Sequence, residues 1–176
     1  MGIYAVTGGS SGIGAKTVEY LRAQGHLVYN IDVNHGDITA NLATDEGRQA
    51  VIDRLHALCT EGMDGLVCCA GVSNSCGKLK LIISLNYFGT MRLAEGVFDL
   101  LKMRRGACVV VASNTISQGA ARMDLVDMLN YSQTKPVNEE RILNIIEKFD
   151  ESSLAVGNSI YVTTKYALAR WARRVS

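Results

Sequence analysis

A glycine-rich run near the start of the sequence is the feature most suggestive of ligand binding. Residues 7–14 read Thr-Gly-Gly-Ser-Ser-Gly-Ile-Gly and stand between an apolar run and an amphipathic stretch. Between a strand and a helix, Gly8 allows a tight turn, Gly12 lets backbone amides approach a pyrophosphate, and Gly14 permits close packing of the helix on the strand. A flexible glycine loop without a ligand is the alternative, which the flanking strand and helix disfavour. The predicted dinucleotide-binding residues of this loop are Gly8, Ser10, Ser11, Gly12, Ile13 and Gly14.

Asp32 stands at the end of the second predicted strand, eighteen residues after Gly14. An acid near this spacing accepts hydrogen bonds from the adenosine ribose of a dinucleotide. Its charge would repel the 2′-phosphate of NADP(H), and no Arg or Lys occurs in the loop or just after Asp32 to offset it. The position therefore favours NAD(H), although an Asp at a strand end can also simply close a turn.

Tyr161 and Lys165 stand four residues apart, so a helix places both side chains on one face. A lysine ammonium beside a phenol stabilises the phenolate, the form that accepts a proton from an alcohol. In a chain with seven tyrosines such a pair also arises by chance on a solvated helix surface. The spacing of Tyr161 and Lys165 therefore indicates a catalytic pair only in combination with the fold.

Short apolar runs alternate with amphipathic stretches along the chain, which is typical of βαβ units and a parallel sheet. The pattern predicts strands at 3–6, 27–31, 38–42, 66–69 and 108–112. It predicts helices after the glycine-rich run, after the N-cap candidate Thr44, at 79–101 and from about 161 onwards. The residues expected to face the core from these helices are Ile13, Val18, Leu21, Val51, Leu55, Leu58, Ile83, Tyr87, Met91, Ala94, Phe98 and Leu101.

A polar, irregular stretch, 114–159, precedes the last predicted helix and contains the only proline, Pro136. It is interpreted as an insertion into a single domain spanning residues 1–176. One amphipathic helix is evident within it, and its apolar face must be buried against another part of the protein. That face consists of Ile142, Ile145, Ile146 and Phe149.

Over its whole length the chain resembles the short-chain dehydrogenase/reductase family. The resemblance rests on the loop at 7–14, Cys69-Ala70-Gly71 in place of the usual Asn-Ala-Gly, Asn86 in Leu-Asn-Tyr-Phe-Gly, Ser113 after the fifth strand, and Tyr161 with Lys165. It implies an α/β fold, a Rossmann-type doubly wound parallel sheet with strand order 3-2-1-4-5. It also implies hydride transfer between NAD(H) and a secondary alcohol or ketone.

The resemblance assigns roles to individual side chains. Tyr161 would be the catalytic acid and base, and Lys165 would bind the nicotinamide ribose and activate the tyrosine. Ser113 would bond the substrate oxygen, and Asn86 would hold a water that links Lys165 to solvent. The turn Cys69, Ala70 and Gly71 would border the cofactor.

Three runs, 41–48, 62–67 and 85–89, together with the stretch between Ser113 and Tyr161, are similar to bacterial 3α-hydroxysteroid dehydrogenase/carbonyl reductases. A hydroxysteroid is therefore one candidate substrate. Asn41 and Leu42 would lie near the adenine, where Asn41 offers a side-chain oxygen but lacks the charge of the Asp usual at this position.

The composition argues against several other classes of protein. Eighteen Lys and Arg against seventeen Asp and Glu give a net charge of +1, so no overall field attracts nucleic acid or an anionic membrane. The start of the chain lacks a secretory pattern, and no apolar run reaches the about 18 residues of a membrane span. Five cysteines without C-x-x-C spacing and three histidines without zinc spacing favour reduced thiols, no metal site and a cytoplasmic protein.

The resemblance also implies elements that the sequence does not supply. The family carries a Pro-Gly turn after a sixth strand, near the nicotinamide, and Pro136 precedes the catalytic helix. We therefore expect a C-terminally incomplete domain with little turnover of its own, and a homo-oligomer when complete. The alternative function is a non-catalytic dinucleotide-binding or inactive relative, which an NADH-linked assay distinguishes.

Overall fold

The computed structural model describes residues 1–130 and 138–176, so Pro136 lies outside the described residues. The described residues divide into two compact units, 1–70 with 89–111 and 71–88 with 112–176. The strands are β1 (Ile3–Thr7), β2 (Leu27–Asp32), β3 (Ile38–Thr39), β4 (Gly65–Cys68) and β5 (Ala107–Val110). The α-helices are α1 (Gly12–Ala23), α2 (Asp45–Leu58), α3 (Leu79–Ile83), α4 (Thr90–Gly96), α5 (Phe98–Arg104), α6 (Met123–Asn130), α7 (Glu139–Ile146) and α8 (Leu154–Val175).

The first unit is built on a five-stranded parallel sheet in the order β3-β2-β1-β4-β5, as predicted. The crossovers from β1 to β2 and from β3 to β4 run in opposite directions along the sheet. Right-handed crossovers therefore place their helices on opposite faces. The central strand is buried on both faces, with Ala5 and Val6 fully enclosed. The strand order reverses between β1 and β4, and the carboxyl ends of strands at such a point are where nucleotides bind.

Helix α1 packs Val18 against Val6 and Val28 of the sheet. Ile13, expected on the same face, is 65% exposed, because it stands in the first helical turn past the end of β1. Helix α2 begins as predicted, since the Thr44 hydroxyl accepts a hydrogen bond from the Gly47 N–H at 3.1 Å. Strand β3 is shorter than predicted because the chain turns at Asn41, whose side chain accepts a bond from the Ala43 N–H.

The single helix predicted for 79–101 is wrong. Helix α3 ends at Ile83, a π-helical turn follows at Ser84–Gly89, and α4 and α5 are separated by a break at Val97. A π turn inserts extra residues into the helical period and so shifts the face that later residues present. Met91, Ala94 and Leu101 are nevertheless buried as expected, whereas Phe98, which follows the break at Val97, is 62% exposed.

The second unit is helical. Helix α6 was not predicted, whereas α7 was, and its Ile142 and Ile146 are buried in a helix that packs against α3 and α6. Helix α8 begins at Leu154 and not near Tyr161, because the Ser153 hydroxyl accepts the Val156 N–H and caps it. The predicted end of the insertion at 159 therefore falls inside the helix that carries Tyr161. Within 1–130 and 138–176, no helix has the length and apolar character needed to cross a membrane.

Asp64 ties the start of β1 to β4 and α5. Its Oδ2 accepts the Ile3 N–H at 2.7 Å and lies 3.1 Å from Arg104 Nε. The bond from the Ile3 backbone, aided by Arg104, lowers the pKa of Asp64 below its ordinary value. The ionised carboxylate is therefore the form that stabilises the fold.

Asp64→Asn is expected to lower the free energy of unfolding at neutral pH by about 1–2 kcal/mol, since a charge-assisted bond is weakened. The wild-type advantage is present above the ordinary aspartate pKa of about 4 and is lost as the pH falls below it. Urea unfolding at neutral pH and near pH 3 measures this. Asp53→Asn, which alters an exposed acid that accepts a hydrogen bond from Gln49, is the control. Equal stability of wild type and Asp64→Asn at neutral pH would contradict the prediction.

Candidate active site

The glycine-rich loop joins β1 to α1 and is shaped by close backbone contacts. Gly8 has φ +66°, and a Cβ built there would lie 2.8 Å from the Ala70 backbone. A Cβ at Gly14 would lie 2.2 Å from the Gly8 carbonyl oxygen. Gly12, with φ +52°, has open space around its Cβ position. The loop thus leaves a cradle beside the first turn of α1, and the start of a helix fits a phosphate group.

Gly14→Ala is expected to destabilise the protein by about 1–3 kcal/mol and to weaken dinucleotide binding, because the added methyl group must displace the loop backbone. Gly25→Ala is a matched control at the other end of α1. Gly25 has φ +78° with open space, so alanine there meets backbone strain alone. Thermal unfolding and NADH fluorescence titration measure both variants. Retention of wild-type NADH affinity by Gly14→Ala would mean that the cradle is not the binding site.

Thr7 fixes the end of β1 to the turn that follows β4. The side chain is 1% exposed, and its hydroxyl accepts the Ala70 N–H at 3.1 Å. The Thr7 carbonyl accepts the Cys69 N–H at 3.1 Å. Cys69 and Ala70 are thereby held beside Gly8. Sequence reasoning assigned Thr7 no role, although a polar residue at the end of a buried strand is a usable signal.

Asp32 reaches the glycine-rich loop. Its Oδ2 accepts the Ser10 N–H at 3.2 Å, and its Oδ1 accepts the Asn34 N–H at 3.2 Å. The Ser10 hydroxyl donates to the His35 carbonyl, which holds the loop after β2 against the glycine-rich loop. The structure thus brings Asp32 and Ser10 together, while Ser11 and Ile13 are exposed at the surface of the loop.

Asn41 and Leu42 differ in their environment. Leu42 is 5% exposed and belongs to the core, whereas Asn41 is exposed. The Asn41 Oδ1 accepts the Ala43 N–H at 3.0 Å and so shapes the turn before α2. The oxygen expected to meet the adenine amine therefore already has a structural partner.

Asn86 organises the second unit from inside the π-helical turn. It is fully buried, its Oδ1 accepts the Val72 N–H at 2.8 Å, and its Nδ2 donates to the Val72 carbonyl at 2.9 Å. A Cβ at Gly71 would lie 3.0 Å from Asn86 Oδ1 and 3.7 Å from Lys165 Nζ. Asn86, Gly71 and Lys165 are therefore neighbours, and π-helical turns of this kind are common at functional sites.

Tyr161 and Lys165 lie one turn apart on α8. Lys165 is only 7% exposed, and its Nζ lies 5.9 Å from the centre of the Tyr161 ring. Lys165 therefore does not lie on a solvated helix surface. The arrangement can transfer a proton at the phenol beside a positive charge.

Ser113 lies at the start of a 3₁₀ turn, Asn114–Ser117, that packs against α8. Its backbone is extended and its side chain is half-buried. The second unit thus contains all four residues assigned catalytic roles by the sequence, Asn86, Ser113, Tyr161 and Lys165. Among residues 1–130 and 138–176, no group of three or more His, Cys, Asp or Glu side chains could hold a metal ion.

The chain is similar to a protein family and to individual proteins of known activity. The short chain dehydrogenase family model matches residues 3–136. The chain is 38% identical over 117 residues to a 3α-hydroxysteroid dehydrogenase/carbonyl reductase of Comamonas testosteroni, covering 66% of this chain and 46% of that protein. It is 35% identical over 127 residues to a coniferyl-alcohol dehydrogenase of a Pseudomonas species, covering 68% of this chain and 47% of that protein.

A solved structure is also similar. The crystal structure of a 3α-hydroxysteroid dehydrogenase from Pseudomonas sp. B-0831, complexed with NADH, superposes with a TM-score of 0.86 at 34% identity. The superposition covers 98% of this chain and 65% of that one. The chain spans about half the length of the curated relatives it matches.

Proposed function

Because this chain belongs to the short chain dehydrogenase family, we propose that it binds NAD(H) and serves hydride transfer between that cofactor and a secondary alcohol or ketone. Lys165 supports the proposal most directly. Lys165 is 7% exposed and lies beside Tyr161, Asn86 and Gly71, so its ammonium is buried among the residues assigned to catalysis. A tyrosine phenol beside a lysine ammonium is an arrangement that can move a proton to or from an alcohol.

Residues of the first unit support the proposal that the protein binds NAD(H). Gly8, Gly12 and Gly14 leave a cradle at the start of α1, which fits the pyrophosphate. Asp32, held at Ser10, would accept bonds from the adenosine ribose and disfavour a 2′-phosphate. The NADH complex of the 3α-hydroxysteroid dehydrogenase relative supports the choice of NAD(H). When bound, the nicotinamide would supply or accept the hydride.

The residues of the second unit would then handle the proton. The Tyr161 hydroxyl would give a proton to the substrate oxygen during reduction and take it back during oxidation. The Lys165 ammonium stabilises the phenolate that forms when the proton leaves. The Ser113 hydroxyl would donate a hydrogen bond to the same oxygen, and Asn86 would hold the backbone at Val72 and a water beside Lys165.

The proposal also covers the substrate class, the cellular location and the oligomeric assembly. The 3α-hydroxysteroid dehydrogenase relatives favour a hydroxysteroid or another secondary alcohol as the substrate. The cysteine content favours a reducing compartment, which supports a cytoplasmic location. A homo-oligomeric assembly is part of the proposal as well.

Two measurements test the proposed function. Fluorescence titration with NADH should show saturable binding, and a 3-ketosteroid should cause loss of NADH absorbance. Both are made on the 176-residue chain and on a polypeptide extended through the downstream reading frame. Absence of NADH binding in both would overturn the proposal, and binding without turnover in both would leave a non-catalytic dinucleotide-binding protein.

A further inference from the structure

Ser113 receives two hydrogen bonds from one residue. Thr115 donates through its backbone N–H to Ser113 Oγ at 3.3 Å and through its hydroxyl to the same oxygen at 3.0 Å. A serine hydroxyl has two acceptor lone pairs and one donor hydrogen. With both lone pairs engaged, the remaining bond that Ser113 can make is a donation by its own hydrogen.

Donation is what the reduction of a carbonyl requires from this residue. Negative charge develops on the substrate oxygen in the transition state, and donors aimed at that oxygen stabilise it. A hydroxyl that already accepts hydrogen bonds is polarised and donates more strongly. We propose that Thr115 is a positioning residue whose hydroxyl holds the Ser113 hydroxyl as a donor toward the reacting oxygen of the substrate. This inference rests on the proposed function.

The local structure is suited to such a role. Ser113 has φ −155° and ψ 148°, an extended backbone that any residue adopts without strain. The turn Asn114–Ser117 that follows packs against α8, the helix that carries Tyr161 and Lys165. Thr115 is half-buried in that turn. Its hydroxyl is therefore held in place and points back along the chain to Ser113.

Ser117 provides a matched control at the other end of the same turn. It is exposed, and its hydroxyl donates to the Asn114 carbonyl at 2.8 Å without touching Ser113. Ser117→Ala removes a hydroxyl from the turn but leaves both bonds to Ser113 Oγ intact. A general effect of loosening the turn would therefore appear in Ser117→Ala as well as in Thr115→Val.

The test is a steady-state comparison in the polypeptide that turns over ketone in the assay above. Thr115→Val keeps the branched shape and the backbone N–H but removes the hydroxyl. We expect kcat to fall between about threefold and about tenfold, with KM within about twofold of wild type, because the bond acts in the transition state. Thr115→Ser should restore kcat to within about twofold, since it returns the hydroxyl. Ser117→Ala should match wild type.

A double-mutant cycle separates positioning from a purely structural effect. If Thr115 acts through Ser113, Thr115→Val should have no further effect on kcat in a Ser113→Ala background. A further loss of the same size there, or wild-type kcat in Thr115→Val alone, would overturn the inference while the proposed function stands. Wild-type protein that binds NADH but reduces no ketone would overturn the proposed function and the inference with it.

Discussion

Replacing Tyr161 by phenylalanine is expected to lower kcat by about a hundredfold to ten-thousandfold, while the dissociation constant for NADH stays within about twofold of wild type. The substitution removes only the hydroxyl that exchanges a proton with the substrate oxygen. The ring, which lies 5.9 Å from Lys165 Nζ, is retained together with the packing of α8. The variant should therefore lose most of its turnover and retain its affinity for NADH.

Tyr166→Phe is the control for the Tyr161 variant. Tyr166 is on the same helix and is 36% exposed, so the loss of its hydroxyl should change neither kcat nor NADH affinity. Lys165→Ala makes a useful companion, because it should harm both turnover and binding. Wild-type turnover in Tyr161→Phe would show that the proton comes from another group.

Replacing Asp32 by alanine is expected to reduce the preference for NADH over NADPH by about a hundredfold, because opposing like charges costs several kcal/mol. In the wild type, the Asp32 carboxylate at Ser10 would face the 2′-phosphate. Removing the carboxylate removes the repulsion and also a ribose acceptor, so NADH affinity should fall while NADPH affinity rises.

Fluorescence titration of both cofactors measures this change. Asp32→Asn, which keeps the size of the side chain, should shift the preference in the same direction. Asp53→Ala removes an exposed acid from α2 and should leave both affinities unchanged. Tighter binding of NADPH than NADH by the wild type would contradict the assignment of Asp32.

The sheet could be predicted from the sequence because its signals are local. Each strand is a short apolar run, and the glycine pattern at 7–14 is tied to one turn between β1 and α1. The position of Thr44 before Asp45 and Glu46 likewise identified the start of α2 through its own side-chain bond. Such features depend on residues a few positions apart, so sequence spacing is sufficient to find them.

The helices around the site were harder to predict because their breaks depend on packing. Residues 79–101 have a helical spacing of apolar side chains, yet the π turn holds Asn86 against the Val72 backbone, a contact across 14 positions. The break at Val97 follows Gly96, where a Cβ would lie 2.3 Å from Ile52 on α2. Neither contact can be recognised from the spacing of neighbouring residues in the sequence.

Two hydroxyl contacts were also missed. Thr7 bonds to Ala70, 63 positions away, and nothing near Thr7 in the sequence predicts that partner. Thr115 is different, since its partner Ser113 is two residues away. A Thr two positions after the proposed substrate-binding Ser is a signal that sequence reasoning could have used.

The most direct test of the proposed function is to follow the hydride from NADH to the ketone. The protein is incubated with a ketone and NADH that is deuterated at both C4 positions of the nicotinamide, and the alcohol is analysed by mass spectrometry. Deuterium is expected on the carbinol carbon of the alcohol formed by the wild type, and Tyr161→Phe should form the labelled alcohol at least about a hundredfold more slowly. NADH binding accompanied by no deuterated alcohol, in the 176-residue chain and in the extended polypeptide alike, would contradict the proposed function.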